Sequence, residues 1–463
     1  MKLPGNPSRA TRTLFLIGCI VLAEPLSSTL LFPFVYFMVK DFGKYDEVGI
    51  GYRAGLITSA FFLAQMSTTS IWGHVSDRKG RRTALLIGLL GGIISMVLFG
   101  LSKSLIWAIL SRAFCGILNG NIGVARTVVG EVVEQHGLKQ SEGFSLFGFC
   151  AAVGYIVGPM IGGWLVMPAK AFNLRGPGDL FVHFPYLLPC LVSAAYNSVV
   201  FVGTFCFLEE TNEKLLVKET KIMEEDSIDT EYTSLLGPDL PASPSVARVV
   251  EETNTSKEVL VLVAATSLIS LHGIIFDEGF SLFTASSLET GTGLGFRPKD
   301  IATSLSLMGP VIFIAQLWGY PFLNSRLDTL KLWYISSAGF ATVYPLVSLM
   351  PMIQQEGMRW VCLQLLLAVR FMSLVVGYTS LNILVNHVIA PGRRGLVNGA
   401  VQSAASFSRA GGPALGGVLW SRAVGSHWSA PFDFHIFFIL LAVIAIFQGF
   451  AGLWIPKNAA SKN

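Results

Sequence analysis

The sequence predicts an all-α polytopic membrane protein with twelve transmembrane helices in two six-helix repeats. Of its 463 residues, 52% are hydrophobic and only 13% are charged, whereas charged residues make up about 25% of an ordinary soluble domain. The apolar residues form stretches that reach the roughly 20 residues needed to cross a bilayer as a helix. This composition excludes a soluble fold and extensive disorder. The net charge of +4 gives no reason to expect a nucleic-acid partner.

The apolar stretches give the predicted helices in chain order. The first one follows Lys2, Arg9 and Arg12 and continues to Met38. It is too long for the apolar core of a signal peptide, so we expect it to be retained as a span. Most stretches contain Gly and other small residues, which membrane helices tolerate. The predicted spans are residues 12–38, 54–74, 82–101, 104–132, 141–167, 184–208, 257–284, 300–322, 330–350, 358–387, 394–421 and 432–455.

A polar segment divides these spans into two groups of six. Residues 209–256 are acidic, with a run of carboxylates at Glu224–Asp226 and several prolines. Such a composition favours a flexible linker, which we expect in the cytosol. We therefore predict an N-terminal six-helix half over residues 1–208 and a C-terminal six-helix half over residues 257–463.

The two halves contain similar motifs in corresponding spans. Gly158–Gly163 in the fifth span reads Gly-Pro-Met-Ile-Gly-Gly, and Gly412–Gly417 in the eleventh reads Gly-Pro-Ala-Leu-Gly-Gly. The fourth and tenth spans carry Arg112 and Arg370 at nearly the same offset. Duplication of a six-span unit is the simplest explanation. Repeated halves are typical of secondary transporters that work by alternating access.

The distribution of Lys and Arg predicts the orientation of the chain. The loops on the side of the N-terminus carry the basic run Arg78–Arg82 and have a modest excess of basic residues. This excess favours placing both termini in the cytosol, and an even number of spans agrees with it. The plasma membrane and the vacuolar membrane both fit this topology.

The loop between the second and third spans carries a short motif. From Trp72 to Arg82 the chain reads Trp-Gly-His-Val-Ser-Asp-Arg-Lys-Gly-Arg-Arg. At every defined position it resembles the loop motif of the major facilitator superfamily, Gly-x-x-x-Asp-[Arg/Lys]-x-Gly-[Arg/Lys]-[Arg/Lys]. The matching residues are Gly73, Asp77, Arg78, Gly80, Arg81 and Arg82.

Other stretches resemble particular branches of that superfamily. Arg112–Gly116 and Gly154–Gly163 resemble the span-4 and span-5 motifs of its drug:proton antiporters. Trp72 before the loop motif and Phe276–Glu278 are similar to the zinc-induced facilitator-like group and its fungal relatives. The chain lacks the N-terminal Cys-x-Gly-Cys signature of the plant members, and it has Leu208–Asn212 where they have a Pro-Glu-Thr-Leu-His type sequence. The span-5 motif residues are Gly154, Gly158, Pro159, Gly162 and Gly163.

The resemblance implies a major facilitator fold and secondary active transport. It favours proton-coupled export of a small organic compound, such as a drug, toxin or natural product. The alternatives are an ion or zinc facilitator and, on the same fold, a non-transporting receptor. The expected partners are a small-molecule substrate, protons and the lipid bilayer, and the protein is expected to be a monomer. The sequence has no phosphate-binding loop and no hydrolase motif, so we expect neither enzymatic activity, catalytic residues, a cofactor nor a resident metal.

The loop motif suits a gate. A short loop between two helix ends can place Asp77 at the positive N-terminus of a helix in the other half. Arg78, Arg81 and Arg82 can pair with carboxylates or with helix C-termini. We expect these contacts to latch the cytosolic side in the outward-facing state. The alternative is that the basic residues only hold the loop in the cytosol.

Ionisable side chains within the spans are costly, so each is a functional candidate. Glu24, near the midplane, is the preferred proton or cation-substrate site, because a desolvated carboxylate can bind and release a proton. The alternative for Glu24 is a permanent salt bridge with Arg370 or Arg112. Asp277 and Glu278, near the outer end of the seventh span, are further candidates for either role. Arg112 and Arg370, within the fourth and tenth spans, are also candidates for a proton or substrate site.

The remaining candidates concern helix packing and the wall of a cavity. The glycine-rich fifth span predicts close helix approach, either as a hinge and seal against proton leak or as ordinary packing. Arg126 is expected to face the inner vestibule or to pair with Glu131. Four aromatic residues are candidates to line a cavity for aromatic or cationic compounds. They are Tyr155, Trp164, Tyr344 and Tyr378.

Overall fold

The protein forms a bundle of helices in a computed structural model. The structure describes residues 7–43, 45–137, 140–212, 255–288, 291–388, 394–426 and 428–455. Within these ranges all regular secondary structure is helical. Most of the predicted acidic linker, residues 213–254, lies outside the described residues.

The helices follow the predicted spans in order, with two short helices before the sixth span. In the N-terminal half they are α1 (Pro7–Thr29), α2 (Val35–Phe42), α3 (Glu47–Lys79), α4 (Arg81–Gly100), α5 (Leu105–Leu118), α6 (Asn121–His136), α7 (Gln140–Leu165), α8 (Pro168–Ala171), α9 (Leu180–His183) and α10 (Leu187–Phe207). In the C-terminal half they are α11 (Thr255–Ala285), α12 (Pro298–Ser306), α13 (Met308–Ile314), α14 (Tyr320–Arg326), α15 (Thr329–Ser348), α16 (Glu356–Val388), α17 (Arg394–Val424) and α18 (His435–Ala451).

The described residues contain nine helical segments that are long and apolar enough to cross a membrane. The other three predicted spans correspond to α3, α15 and α17, which have 33, 20 and 31 residues. These helices are long enough to span but less apolar. Two of them, α3 and α17, pack against each other between the halves, where part of each helix faces protein and not lipid. The multi-pass helical fold is confirmed, and the count of twelve spans stays a prediction.

Three predicted spans are interrupted. The first is divided between α1 and α2 after Thr29, close to Pro33, which lacks the backbone N–H that a continuous helix needs. The fourth is divided between α5 and α6 at Gly120, where a Cβ atom would overlap the ring of Trp72 on α3. The eighth consists of α12, α13 and α14, with a π-helical turn at Ala315–Gly319. The apolar pattern continues through these breaks, so hydropathy did not predict them.

Each half has its own packed interior. In the N-terminal half, α1 packs against α6, α7 and α10, and α4 packs against α5 and α10. In the C-terminal half, α15 packs against α16 and α18 around the buried side chains of Trp333, Phe340 and Tyr344. The halves meet where α3 contacts α17 and where α7 contacts α12.

These contacts between the halves lie toward one end of the bundle. We call the end where α3 meets α4 the motif end and the opposite end the far end. Toward the far end, the Ala414 amide donates to Ser59 Oγ at 2.7 Å, and Trp164 Nε1 donates to Thr303 Oγ1 at 3.2 Å. In the described residues the bundle is therefore closed at the far end and open toward the motif end.

Candidate functional site

The loop motif occupies the junction of α3 and α4. Gly80 forms the junction with a φ of 99°, a conformation that glycine adopts without steric cost. Its amide donates to the carbonyl of Ser76 at 3.2 Å. A Cβ atom at Gly73 would meet no other atom within 4 Å. The turn therefore requires glycine at Gly80, whereas Gly73 faces open space while the motif end is open.

Arg81 is the centre of an ion-pair network within the N-terminal half. Its guanidinium pairs with Asp77 at 2.5 Å and with Glu131 of α6 at 3.0 Å. The Arg81 side chain is 11% exposed and that of Asp77 is 66% exposed. Among the described residues, Asp77 makes no contact with the C-terminal half. The latch between the halves stays a prediction for the opposite conformation.

The segment that follows α10 caps the motif. The carboxylate of Glu210 accepts hydrogen bonds from the amides of Arg81 and Arg82, at 2.9 and 3.2 Å. These amides belong to the first turn of α4 and have no partner within the helix, and the helix dipole favours a negative charge there. Asn212 Nδ2 donates to the carbonyl of Asp77 at 3.0 Å. The stretch that differs from the plant sequences thus contacts the loop motif directly.

Arg112 and Arg370 have similar surroundings in their two halves. Arg112 on α5 donates to the carbonyl of Ser27 on α1, and Arg370 on α16 donates to the carbonyl of Gly273 on α11, each at 3.3 Å. Each guanidinium also lies over a phenylalanine ring, at 4.8 and 4.7 Å from the centroid. This similarity supports the predicted duplication.

The two arginines differ in their acidic partners. Arg370 pairs with Asp277 at 2.6 Å. Nε and Nη2 of Arg112 have no hydrogen-bond partner in the described part of the chain. The alternative of a salt bridge between Glu24 and Arg370 or Arg112 is wrong. Both arginines turn into the interior of their own half, whereas Glu24 faces the cleft between the halves.

Glu278 lies beside Asp277 but in different surroundings. Its side chain is fully buried, and both carboxylate oxygens lack a hydrogen-bond partner among the described residues. Thr58 of α3 is its polar neighbour, next to the Ser59 contact that closes the far end. A carboxylate therefore lies within the closed contact between the halves.

Glu24 lies in the cleft together with residues of both halves. Its carboxylate is close to Gln65 of α3 and to Asn119, and it interacts electrostatically with Arg126 of α6 and Arg409 of α17. Its Oε2 atom is buried without a hydrogen-bond partner in the residues that the structure describes. The cleft thus brings a carboxylate and two arginines together near the middle of the bundle.

Two of the four aromatic candidates line this cleft. Tyr155 of α7 contacts Arg409 through its hydroxyl and is 45% exposed. Tyr378 of α16 interacts electrostatically with Arg409. Trp164 lies in the far-end contact between the halves, and Tyr344 is fully buried in the C-terminal half. For Tyr344 the expectation of a cavity lining is wrong, whereas for Trp164, which is 40% exposed, it stays a prediction.

The described residues contain no group of three or more His, Cys, Asp or Glu side chains that could hold a metal ion. His272 on α11 is hydrogen-bonded to the hydroxyl of Tyr344 at 2.7 Å and to Gln448 Oε1 at 2.6 Å. These bonds hold α11 against α15 and α18, which indicates a packing role for this histidine.

Comparison with known families decides the identity of the chain. The model of the Major Facilitator Superfamily matches residues 17–413. The chain belongs to this superfamily. It is therefore a multi-pass membrane transporter of small molecules and not an enzyme.

Relatives and solved structures of the superfamily agree over nearly the whole chain. The "Major facilitator superfamily multidrug transporter mfsB" of Aspergillus fumigatus is 30% identical over 90% of this chain and 80% of its own length. The "Protein ZINC INDUCED FACILITATOR-LIKE 1" of Arabidopsis thaliana is 32% identical over 94% of this chain and 89% of its own. The crystal structure of a D-xylose-proton symporter superposes with a TM-score of 0.70 at 13% identity, over 95% of this chain and 97% of the other. The predicted fold and family are confirmed.

The superfamily motifs did not point to Arg409. Arg409 lies in the eleventh span, just before the repeated Gly412–Gly417 motif. The sequence feature that could have identified it is the presence of a basic residue within an apolar span. Of the two alternatives expected for Arg126, the pairing with Glu131 is not seen in the described residues, where Glu131 pairs with Arg81. Arg126 instead lies over the ring of Phe147 at 5.3 Å.

Proposed function

We propose that the protein is a proton-coupled exporter of small organic compounds that works by alternating access. The observation that carries this proposal is the cleft around Glu24, to which both halves contribute and which opens toward the motif end. Its tyrosines suit an organic molecule, and its two arginines repel a metal cation. The name of the multidrug relative supports the same class of substrate, whereas the name of the plant relative leaves a zinc cargo as the alternative.

The proposed orientation places the motif end and both termini in the cytosol. In this orientation the structure is inward-facing, because α3 and α17 close the far end. The opposite state requires these helices to separate there while the motif loop engages the other half. We propose that the protein carries out this exchange as a monomer, in the plasma membrane or the vacuolar membrane.

Glu278 is the proposed proton carrier. A charged carboxylate without a partner is costly to bury, so Glu278 holds a proton while the far end is closed. When α3 and α17 separate, water reaches the carboxylate from the far side and the proton exchanges there. Asp277, whose side chain is 34% exposed and paired with Arg370, provides the neighbouring acceptor toward the cleft. Proton exchange is coupled to the conformational change, because the separation of α3 from α17 is also what exposes Glu278.

The test measures proton flux in vesicles. Purified protein is reconstituted with a pH-sensitive dye inside, and amphipathic amines, indoles, organic acids and zinc are added separately. We expect an organic compound to drive proton movement, and we expect Glu278→Gln to reduce this flux by at least about tenfold. The amide matches the neutral carboxyl in shape, so substrate binding should persist.

Two further variants make the result specific. Glu356→Gln changes an exposed carboxylate at the start of α16 and should leave the flux unchanged. Unaltered flux in Glu278→Gln, with loss in Glu24→Gln, would move the proton site to Glu24. A response to zinc alone would favour the metal facilitator, and no flux with any compound would contradict proton-coupled export.

A further inference from the structure

Among the described residues, the cleft around Glu24 brings two arginines together with one carboxylate. Arg126 from the N-terminal half and Arg409 from the C-terminal half interact electrostatically with each other and with Glu24. Among the described residues, neither guanidinium lies within ion-pair distance of a carboxylate. The two guanidinium groups thus interact with one carboxylate, that of Glu24.

The unpaired state of these two arginines contrasts with other basic residues of the chain. Arg370 is neutralised by Asp277, and Arg81 by Asp77 and Glu131. Charges within a membrane protein normally have partners or line a water-filled cavity. Arg126 and Arg409 are half-buried and lie in the cleft between the halves, so their missing counter-charge is one that a ligand can supply.

The neighbours of the arginines define the rest of the ligand. Arg126 stacks over Phe147 at 5.3 Å, and Arg409 contacts the hydroxyls of Ser406, at 3.4 Å, and Tyr155. Guanidinium groups bind carboxylates through two parallel hydrogen bonds, and aromatic faces bind apolar rings. We propose that Arg126 and Arg409 form an anion-binding site, and that the exported substrates are organic acids with an apolar or aromatic body.

This assignment also explains how binding drives the conformational change. The two guanidinium groups belong to opposite halves, so their repulsion opposes closure of the motif end. An anion that bridges them replaces repulsion with attraction from both sides. Binding of the anion in the cleft therefore favours closure of the motif end. An exporter requires this dependence if it is not to cycle without substrate. The inference rests on the proposed export function and adds its substrate class.

The test uses two ligands of the same shape and opposite charge. Binding of 4-phenylbutanoate and 4-phenylbutylamine to the full-length protein is measured by calorimetry in nanodiscs of phosphatidylcholine, which carries no net negative charge. We expect the carboxylate to bind at least about tenfold more tightly than the amine. Arg126→Gln and Arg409→Gln should each remove this preference. Arg409→Lys, which keeps the charge but loses the planar donor pair, should retain part of it.

The control and the contrary outcomes separate this site from the export proposal. Arg422→Gln changes an exposed arginine on the same helix and should leave binding unchanged. Equal or tighter binding of the amine, a preference that survives both glutamine variants, or no saturable binding of the carboxylate would overturn the anion site. Arginine-dependent carboxylate binding without proton flux would retain the site and contradict proton-coupled export. Proton flux driven by amines alone would retain export and contradict the site.

Discussion

Single residues show how the two halves have diverged. Arg112 and Arg370 occupy similar positions, and each donates to a carbonyl of the first helix of its half. Of the two, Arg370 alone pairs with a carboxylate in the described part of the chain, that of Asp277. Arg112 depends on the carbonyl of Ser27 and on aromatic rings, whose faces attract a cation. Arg112 thus has a structural environment in its half, whereas Arg370 pairs with Asp277, a residue that we propose takes part in proton transfer.

The Asp277–Arg370 pair should contribute strongly to stability. Asp277→Asn leaves Arg370 buried without its counter-ion, and removing one partner of a buried pair costs about 3 kcal/mol at the lower end of the usual range. That end applies because the Asp277 side chain is 34% exposed. The loss is measured as the free energy of unfolding in mixed micelles.

The double variant is the control for this prediction. Asp277→Asn combined with Arg370→Gln removes both charges and should recover most of the lost stability, because no unpaired charge remains. Equal destabilisation in the single and double variants would show that Arg370 is not stabilised by Asp277.

At the scale of helices, the span-5 motif joins α7 to α1. A Cβ atom at Gly154 would lie 2.7 Å from the Leu22 carbonyl oxygen, and one at Gly162 would overlap the Leu30 carbonyl. Gly163, one residue on, instead faces α12 of the other half near Pro298. The motif therefore packs one face of α7 within its own half and places its last glycine at the contact between the halves.

Alanine at Gly162 should loosen this packing. The added methyl group forces α7 away from α1, and such overpacking costs about 1–3 kcal/mol. Gly148 lies on the same helix with no atom within 4 Å of a Cβ position, so Gly148→Ala should be neutral or more stable by up to about 1 kcal/mol. Thermal unfolding of the two variants checks the difference. Equal midpoints would contradict close packing at Gly162.

The sequence predicted helices and motifs better than it predicted partners. Hydropathy predicted the helices in order, and nine helical segments in the described residues are long and apolar enough to cross a membrane. The motif residues were recognisable by their spacing. The neighbours of Glu24 were not predictable, because Arg126 and Arg409 belong to different halves and approach it only through the tertiary fold. The capping role of Glu210 was also missed, since it depends on where the chain after α10 returns to α4.

At the scale of the whole molecule, the two ends of the bundle have opposite states. The far end is closed through contacts such as Ser59 with Ala414. At the motif end, the contacts of Asp77 and Arg81 within the described residues are with the N-terminal half and with Glu210 and Asn212 of the segment after α10. In the other state of a two-state transporter, the far end is open and the motif end is closed. A residue that makes contacts in only one of these states shifts the equilibrium between them. Asp77 is such a candidate, because its side chain is largely exposed in the state seen here.

Replacing Asp77 should therefore slow transport without unfolding the protein. In Asp77→Asn the exposed pair with Arg81 is lost, which costs less than about 1 kcal/mol, while the latch of the outward-facing state loses its charge. We expect the inward-facing population to rise and the maximal transport rate to fall by about tenfold. The rate is measured by proton flux in vesicles, with Asp328→Asn, a carboxylate before α15 paired with Lys331, as the matched control.

Labelling of the cleft reports the population directly. Tyr155→Cys places a thiol at the exposed wall of the cleft, in a background where the exposed Cys206 is replaced by serine. A membrane-impermeant thiol reagent added at the motif side of inside-out vesicles should label this cysteine faster when Asp77→Asn is also present, because the inward-facing state is longer-lived. Unchanged labelling together with a wild-type transport rate would contradict the latch. Slower transport with unchanged labelling would place the effect of Asp77 on the transition between the states, which also contradicts a latch that stabilises only the outward-facing one.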